Sequence, residues 1–238
     1  NRAAELGIHP PGLGAQGALA EYMIIDDVRH LVPLGDLDPV DAVALTDAGL
    51  TPYHAIKAAM SVLTPGSTAV VIGAGGLGHM GIQLLRALTG ATIIALDIDK
   101  DKLRLATEVG AHHVAPSGPD APQFIRQLTH GDGAEAVFDF VGIPATVEIA
   151  RQSIARDGII HIVGIGGGIL PAGFFSIPYG ASVRTPYWGS RSELMEVFAL
   201  ALTGKIKVHN ERFTIEQAPE AYERLKAGTI LGRAVVVP

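Results

Sequence analysis

The chain has 238 residues, no cysteine and a formal net charge of -6, with 48% hydrophobic and 18% charged residues. That composition supports a full buried core, excludes disulfides and thiolate chemistry, and leaves no basic surface for nucleic acid or an anionic membrane. No apolar run is long enough to span a bilayer and no leader pattern opens the chain, so the default expectation is a cytoplasmic protein without a membrane partner.

The elements follow in chain order. The opening stretch "NRAAELGIHPPGLGAQ" has no strand or helix period and starts on Asn1, which reads as the interior of something longer. Residues 18–25, "ALAEYMII", predict a strand, and "VRHLVPL" a second short one. "PVDAVALTDAGLTPYHAIKAAM" predicts one or two helices interrupted near Gly49 and Pro52. After the turn "TPGS" a regular alternation begins. Strands "TAVVIG", "ATIIALD", "HHVAP", "AEAVFDFVG" and "GIIHIVGIG" are separated by helices "LGHMGIQLLRAL", "KDKLRLATEVG", "APQFIRQLTH" and "PATVEIARQSI". The strands are continuous Val- and Ile-rich runs, the pattern of strands buried on both faces of a parallel sheet. A last strand of this series, "ASVRTPYW", follows a loop. The fold class is therefore α/β, with a doubly wound parallel sheet over residues 58–205. Beyond it lie helices "RSELMEVFALALTG" and "FTIEQAPEAYERLKAG" and a final strand, "GRAVVVP". Residues 1–57 and 206–238 are expected to pack together as a second unit.

Residues Gly73-Ala74-Gly75-Gly76-Leu77-Gly78 form a G-x-G-x-x-G that ends an apolar strand and opens a helix. Alone the motif is weak; this context makes it a dinucleotide-binding loop. Gly73 permits a tight turn, Gly75 lets the backbone approach a pyrophosphate, and Gly78 lets helix and strand pack closely. The helix N-terminus adds unpaired N–H groups and a positive dipole end. The next strand ends in Asp97, 19 residues after Gly78, near the spacing of about 20 at which a carboxylate meets the adenosine ribose. Such a carboxylate accepts from ribose hydroxyls and repels a 2′-phosphate, which favours NAD over NADP. A methyltransferase also uses a glycine loop and an acid after the second strand, but nothing else in the chain supports that reading. A second question is set by "LTDAGLTPYHAI". This mostly apolar helical stretch carries Asp47, and a carboxylate in such a place needs a partner, either a cation of this chain or something outside it.

"GALAEYMIIDDVRHLVPLGDLDPVDAVALTDAGLTPYHAI" followed by "TPGSTAVVIGAGGLGHMGIQLLRAL" resembles the zinc-dependent medium-chain alcohol dehydrogenases, most nearly the bacterial NAD-dependent secondary-alcohol type. "VFDFVG", "TPYWGSRSELMEV" and "GRAVVVP" fit the same type. The resemblance implies a Rossmann domain plus a remnant of a GroES-like catalytic domain formed from both chain ends. It places the family's N-terminal barrel half, with the cysteine and histidine of the catalytic zinc, ahead of Asn1. Asp47 then resembles the third zinc ligand. One carboxylate cannot make a catalytic zinc site, which takes three protein ligands and one open position. The nine histidines do not complete it by local spacing. Zinc thus belongs to the full-length family and is not expected in this chain alone.

The resemblance also carries roles to single positions. Thr51 resembles a residue beside the nicotinamide, and Leu77 the apolar residue behind its ring. Asp97 and Lys102 resemble the pair on the adenosine ribose, and Val141 the lining of the adenine-side slot. Val163 and Ile165 resemble backbone contacts to the carboxamide. Arg233 resembles the basic residue that reaches the pyrophosphate. "ASVRTPYW" resembles the edge strand of a homodimer or tetramer, with Tyr187 and Trp188 at either the substrate pocket or that interface. Leu77, Val141, Val163 and Ile165 also suit plain core, and Lys102 a solvated helix face. The implied reaction is hydride transfer between a small secondary alcohol or ketone and NAD.

A zinc-free route is also legible: Tyr53 and Lys57 form a Y-x-x-x-K, and a lysine one turn along a helix lowers a tyrosine's pKa in short-chain dehydrogenases. In that family the motif follows the later strands, whereas here it precedes the first. Three readings remain open: an active dehydrogenase that works without zinc, a dinucleotide-binding module without catalysis, and one part of a split enzyme. Asp97→Ala is expected to weaken NAD binding and relax discrimination against NADP, measured by titrating both dinucleotides; an unchanged preference would remove Asp97 from the ribose site.

Overall fold

Apolar runs without alternation become strands whose neighbouring side chains enter two different cores. In β1 (Thr68–Ile72) every residue is buried. Ala69 and Val71 pack into one cluster, while Val70 and Ile72 pack into the other. β2 (Thr92–Asp97) divides in the same way, with Ile93 and Ala95 against Ile94 and Leu96. These strands join β3 (His113–Pro116), β4 (Ala134–Asp139), β5 (Ile154–Ile162) and β6 (Ser182–Arg184) in one parallel sheet of order β3-β2-β1-β4-β5-β6. The computed structural model describes residues 10–12 and 14–238. Residues 1–9 and 13, within the stretch read above as aperiodic, lie outside it.

The helices are α1 (Pro39–Ala42), α2 (Leu50–Ala58), α3 (Gly78–Leu88), α4 (Lys100–Glu108), α5 (Ala121–Leu128), α6 (Pro144–Ser153), α7 (Arg191–Leu202) and α8 (Ala218–Lys226). Ile56 of α2, Leu84 and Leu85 of α3, Ala106 of α4 and Val197 of α7 cover one face of the sheet. Ile125 of α5 and Ile149 of α6 cover the other. This is the doubly wound arrangement expected from the alternation. The strand order reverses between β1 and β4, which opens a crevice at the carboxyl ends of those two strands. A separate two-stranded parallel sheet pairs β7 (Asn210–Thr214) with β8 (Arg233–Val237), and Phe213, Ala221 and Ile230 form its small core.

Several local expectations change. Residues 18–25 form no strand, and Val28–His30 is a 3-10 turn whose N-cap, Asp27, accepts from the Arg29 amide. A strand needs a ladder partner; among the described residues none runs beside this stretch, and Tyr22 and Ile24 are 90% and 94% exposed. The break in the 39–60 helical stretch falls at Asp47–Gly49, between a 3-10 turn (Val43–Thr46) and α2. Pro52 interrupts nothing, because it sits in the first turn of α2, where a missing N–H costs no helical bond. The helix expected from "FTIEQAPEAYERLKAG" starts only at Ala218, since β7 takes its beginning into the small sheet. The change is marked by Thr214, whose amide donates to the Gln217 side chain at 2.9 Å, a T-x-x-Q start signal. β5 starts at Ile154, earlier than expected, across a register shift opposite Ala134 and Ala136. β6 keeps only three residues of "ASVRTPYW".

His161 of β5 is buried, stacks on Phe138 with ring centroids 5.3 Å apart, and has no hydrogen-bond partner at either ring nitrogen. Burial first, then the charges of Arg184 and His54, push its pKa down to about 4. The unfolded chain therefore binds a proton that the folded chain refuses between about pH 6.5 and 4, and stability falls as pH falls through that window. The contribution is on the order of 1–3 kcal/mol. His161→Phe is expected to keep the stack and flatten this part of the stability profile, read by urea unfolding at pH 7 and pH 4.5.

Candidate functional site

The site is built at the end of β1, where the chain turns sharply into α3. Gly73 has φ 88, a left-handed conformation that favours glycine, and its amide donates to the Leu96 carbonyl at 2.7 Å. A Cβ at Gly78 would lie 1.8 Å from the Gly73 carbonyl oxygen, so only glycine lets the helix close onto the turn. At Gly75 a Cβ would meet nothing within 4 Å, which leaves the backbone open to a ligand. At Gly76 a Cβ would lie 2.7 Å from Cδ of Arg233. Gly76 therefore makes room for an arginine that arrives from β8, a role its place in the motif does not reveal.

Asp97 ends β2 and is buried. Its Oδ2 accepts from the Ala74 amide at 2.8 Å and its Oδ1 from the Asp99 amide at 2.9 Å, which fastens the carboxylate to the glycine loop. With Gly73, Gly75, Lys102 and Val141 it lines a cavity of about 720 Å³. A second cavity of about 490 Å³ lies across Val141 and is lined by Asp47, Thr51, Leu77, Val163 and Ile165, with Tyr187 and Trp188 at the far side. Val141 borders both cavities. The residues singled out in the sequence thus gather at one crevice, and Tyr187 and Trp188 border its inner end.

Three further groups organise the site. Asp139, fully buried at the end of β4, accepts at Oδ1 from the Val141 and Gly142 amides, both at 2.9 Å. Its main-chain oxygen accepts from the Val163 and Gly164 amides at 2.9 and 3.0 Å. One residue therefore pins both loops that border the second cavity, and burial raises its carboxyl pKa. A lone acid in the apolar run "AVFDFVG" is the signal that could have found it. His79, also fully buried, donates from Nδ1 to the Gly75 carbonyl at 3.0 Å and accepts at Nε2 from the His209 amide at 3.2 Å. These two bonds require the neutral imidazole, and burial pushes its pKa down to about 4. The Gln83 side chain, one turn on, pairs with both the amide and the carbonyl of Lys207 at 2.8 and 2.9 Å. His79 and Gln83 thereby lock α3 to the segment that leads into the small sheet.

Arg233 closes the arrangement. Its amide donates to the His209 carbonyl at 2.9 Å, and its Nη2 lies 3.0 Å from Oδ2 of Asp47. The other Asp47 oxygen accepts from the Thr51 hydroxyl at 3.2 Å. The partner that Asp47 required is therefore a cation of the same chain. Among the described residues no group of three or more His, Cys, Asp or Glu side chains is placed to hold a metal ion. His54 is engaged by Glu193 at 3.1 Å, and His112 by Arg86 at 2.7 Å. One carboxylate already paired with a guanidinium does not fit a catalytic zinc, which takes three protein ligands. The Tyr53–Lys57 route also fails. The Tyr53 hydroxyl and Lys57 Nζ both donate to Oε2 of Glu196 at 2.6 Å. Burial and that bond raise the tyrosine pKa, the opposite of what acid/base work needs.

A family profile described as zinc-binding dehydrogenase matches residues 76–203. An NAD-dependent alcohol dehydrogenase of Sulfurisphaera tokodaii is 36% identical over 234 residues, which span 95% of this chain and 66% of that one. A D-arabinose 1-dehydrogenase (NADP(+)) of Saccharolobus solfataricus is 33% identical over 232 residues, spanning 96% of this chain and 66% of the other. The crystal structure of the alcohol dehydrogenase from Aeropyrum pernix superposes with a TM-score of 0.86 at 37% identity, covering 96% of this chain and 67% of that one. The chain thus spans about two thirds of the length of the relatives it matches. Because the space beside Gly75 is open, Gly75→Val is expected to leave the unfolding free energy within about 0.5 kcal/mol while abolishing measurable dinucleotide binding, checked by urea unfolding and fluorescence titration of the same samples.

Proposed function

The chain belongs to the zinc-binding dehydrogenase family, and on that premise we propose that it binds NAD and forms the cofactor-binding part of an NAD-dependent alcohol dehydrogenase acting on small secondary alcohols or ketones. The observation that carries this reading is the pair of cavities that meet at Val141, across the Gly73–Gly78 loop, where the strand order reverses. Open α/β sheets hold their ligands at such a point.

Each residue then has a task. The open backbone at Gly75 and the N-terminus of α3 receive the pyrophosphate, and Arg233 reaches the same charge from β8. Asp97 accepts from the adenosine ribose hydroxyls, with Lys102 beside it, and disfavours a 2′-phosphate. The adenine lies on one side of Val141 and the nicotinamide on the other, between Leu77 and Thr51, its carboxamide meeting the backbone at Val163 and Ile165. Tyr187 and Trp188 wall the space left for the alcohol. Bound NAD supplies a hydride acceptor for the alcohol carbon, or as NADH a donor to the ketone. In this reading residues 58–205 are the Rossmann domain, and residues 1–57 with 206–238 are the remnant of the catalytic domain. Among the described residues β6 pairs only with β5, and its outer edge would extend the sheet in a homodimer or tetramer through residues 182–188.

The described residues offer no complete metal site and no activated tyrosine, so binding is expected to outrun catalysis. Loss of about 4 kcal/mol of charge stabilisation corresponds to about a thousandfold in rate. The purified, chelator-treated chain is expected to bind NADH but to form none from NAD and propan-2-ol. Turnover gained only on adding a polypeptide that carries the family's N-terminal half would mark a split enzyme. Turnover by the chain alone would replace this reading with a metal-free dehydrogenase, and a failure to bind NADH would remove the dinucleotide reading altogether.

A further inference from the structure

The Asp47 carboxylate and the Arg233 guanidinium come from elements far apart in sequence and meet beside the glycine loop. Their approach is a single contact, Nη2 to Oδ2 at 3.0 Å, with the side chains 34% and 39% exposed for Arg233 and Asp47 respectively. The arginine is held at several further points. Its amide is bonded to the His209 carbonyl, and the His209 amide is bonded to His79, which in turn donates to the Gly75 carbonyl. Its Cδ and Nη1 lie over Gly76, 2.7 and 3.1 Å from where a Cβ would stand. Asp47 is itself held by the Thr51 hydroxyl one turn along. An arginine carries five N–H donors in a rigid fork. One contact to Asp47 orients that fork and leaves further donors for an anion at the loop.

From this geometry we propose that Asp47 is a positioning residue for cofactor binding: it holds the Arg233 fork across Gly76, toward the pyrophosphate of the dinucleotide. The proposal rests on the NAD reading above. It reassigns the carboxylate that resembles a zinc ligand, because in this chain that carboxylate is spent on a guanidinium. The opposite effect is physically available. A carboxylate beside a guanidinium also competes with an anion, and its removal would then tighten binding. The arrangement favours positioning, because the long arginine side chain is half-exposed and its freedom is limited by the contacts at Gly76 and Asp47. Without Asp47 the fork regains rotamers that binding must freeze again.

The test is fluorescence titration with NADH, and competition with ADP-ribose and AMP, on the 238-residue chain and its Asp47→Ala, Asp47→Asn, Arg233→Ala and Asp47→Ala/Arg233→Ala variants, all in chelator. Asp47→Ala is expected to weaken NADH and ADP-ribose about three- to fivefold, as for a half-exposed ion pair, and to leave AMP unchanged. Asp47→Asn, which keeps an acceptor oxygen, is expected to restore most of the loss. Arg233→Ala is expected to weaken both pyrophosphate ligands about tenfold or more, and the double variant to match it, since Asp47 acts only through the arginine. A mere loss of folding would weaken AMP equally and would add in the double variant; either result overturns the proposal. Tighter NADH binding by Asp47→Ala, or NADH affinity in the parent chain that changes when zinc replaces chelator, overturns it as well. If the parent chain binds NADH and the variants equal it, only this inference falls. If the parent binds none of the three ligands, the NAD reading falls and this inference with it.

Discussion

The whole site depends on one steric constraint, the contact of main chain on main chain between Gly73 and Gly78. With the Gly73 carbonyl where a side chain at position 78 would begin, α3 starts directly beneath the end of β1. Its N-terminus then lies beside the crevice left by the reversal of strand order, with Gly75 lining one cavity and Leu77 the other. The segments packed against α3 take their places from the position of that helix. His79 and Gln83 lie on the face of α3 that meets residues 207–209, and through them the small sheet and Arg233 acquire fixed places relative to the loop. A larger residue at position 78 would shift the helix axis and, with it, both cavities.

Around that contact the chain uses buried polar side chains as fasteners rather than as exposed chemistry. Asp97 ties β2 to the glycine loop, the Asp139 carboxylate ties the end of β4 to the turn that follows it, and His79 ties the loop to the segment before β7. Each satisfies backbone amides or carbonyls that a tight turn would otherwise leave without partners in a buried place. For Asp97 and His79 the cost of desolvation is offset by two bonds each to fixed backbone groups, whereas Asp139 keeps Oδ2 without a partner and its carboxyl pKa is raised by burial. Asp97 and Lys102 stand at the border of the 720 Å³ cavity. The group that lends the loop its rigidity therefore also reads the ribose in the proposed complex.

The second cavity is organised differently. Its walls come from Asp47 and Thr51 at the start of α2, from Leu77 at the start of α3, and from the turns after β4, β5 and β6. Asp47 is its one acidic lining residue, and the cation that answers it comes from β8, at the other end of the chain. The segment from Leu19 to Leu31 stands apart from both cavities, with large apolar side chains in solvent. The relatives extend over a further third of their length beyond what this chain matches. Within this chain the second cavity is lined by one carboxylate, Asp47, by the hydroxyls of Thr51 and Tyr187, and by the aromatic rings of Phe140, Tyr187 and Trp188.

Local pattern alone is enough for the six-stranded sheet and for the crevice beside Gly73, Gly78 and Asp97, while the other residues at that crevice come from the family resemblance. The sheet and the crevice rest on short-range rules: unbroken Val/Ile runs for doubly buried strands, Gly73 and Gly78 where backbone must touch backbone, and an acid at the end of β2. The remaining features depend on contacts between distant segments. The apolar stretch at 18–25 reads as a strand, but a strand exists only where a ladder partner meets it. Phe213 and Thr214 read as the start of a helix, yet they pair with β8, where Phe213 packs against Ala221 and Ile230. Pro52 reads as a breaker, yet falls where a helix has no amide to lose. Gly76 looks like a spare glycine in a motif, and its purpose is an arginine more than 150 residues away. Asp47 reads as a carboxylate in want of a partner, and the identity of that partner depends on how β8 folds back over the loop. Contacts between distant segments depend on the path of the whole chain, and no local pattern at either end encodes them.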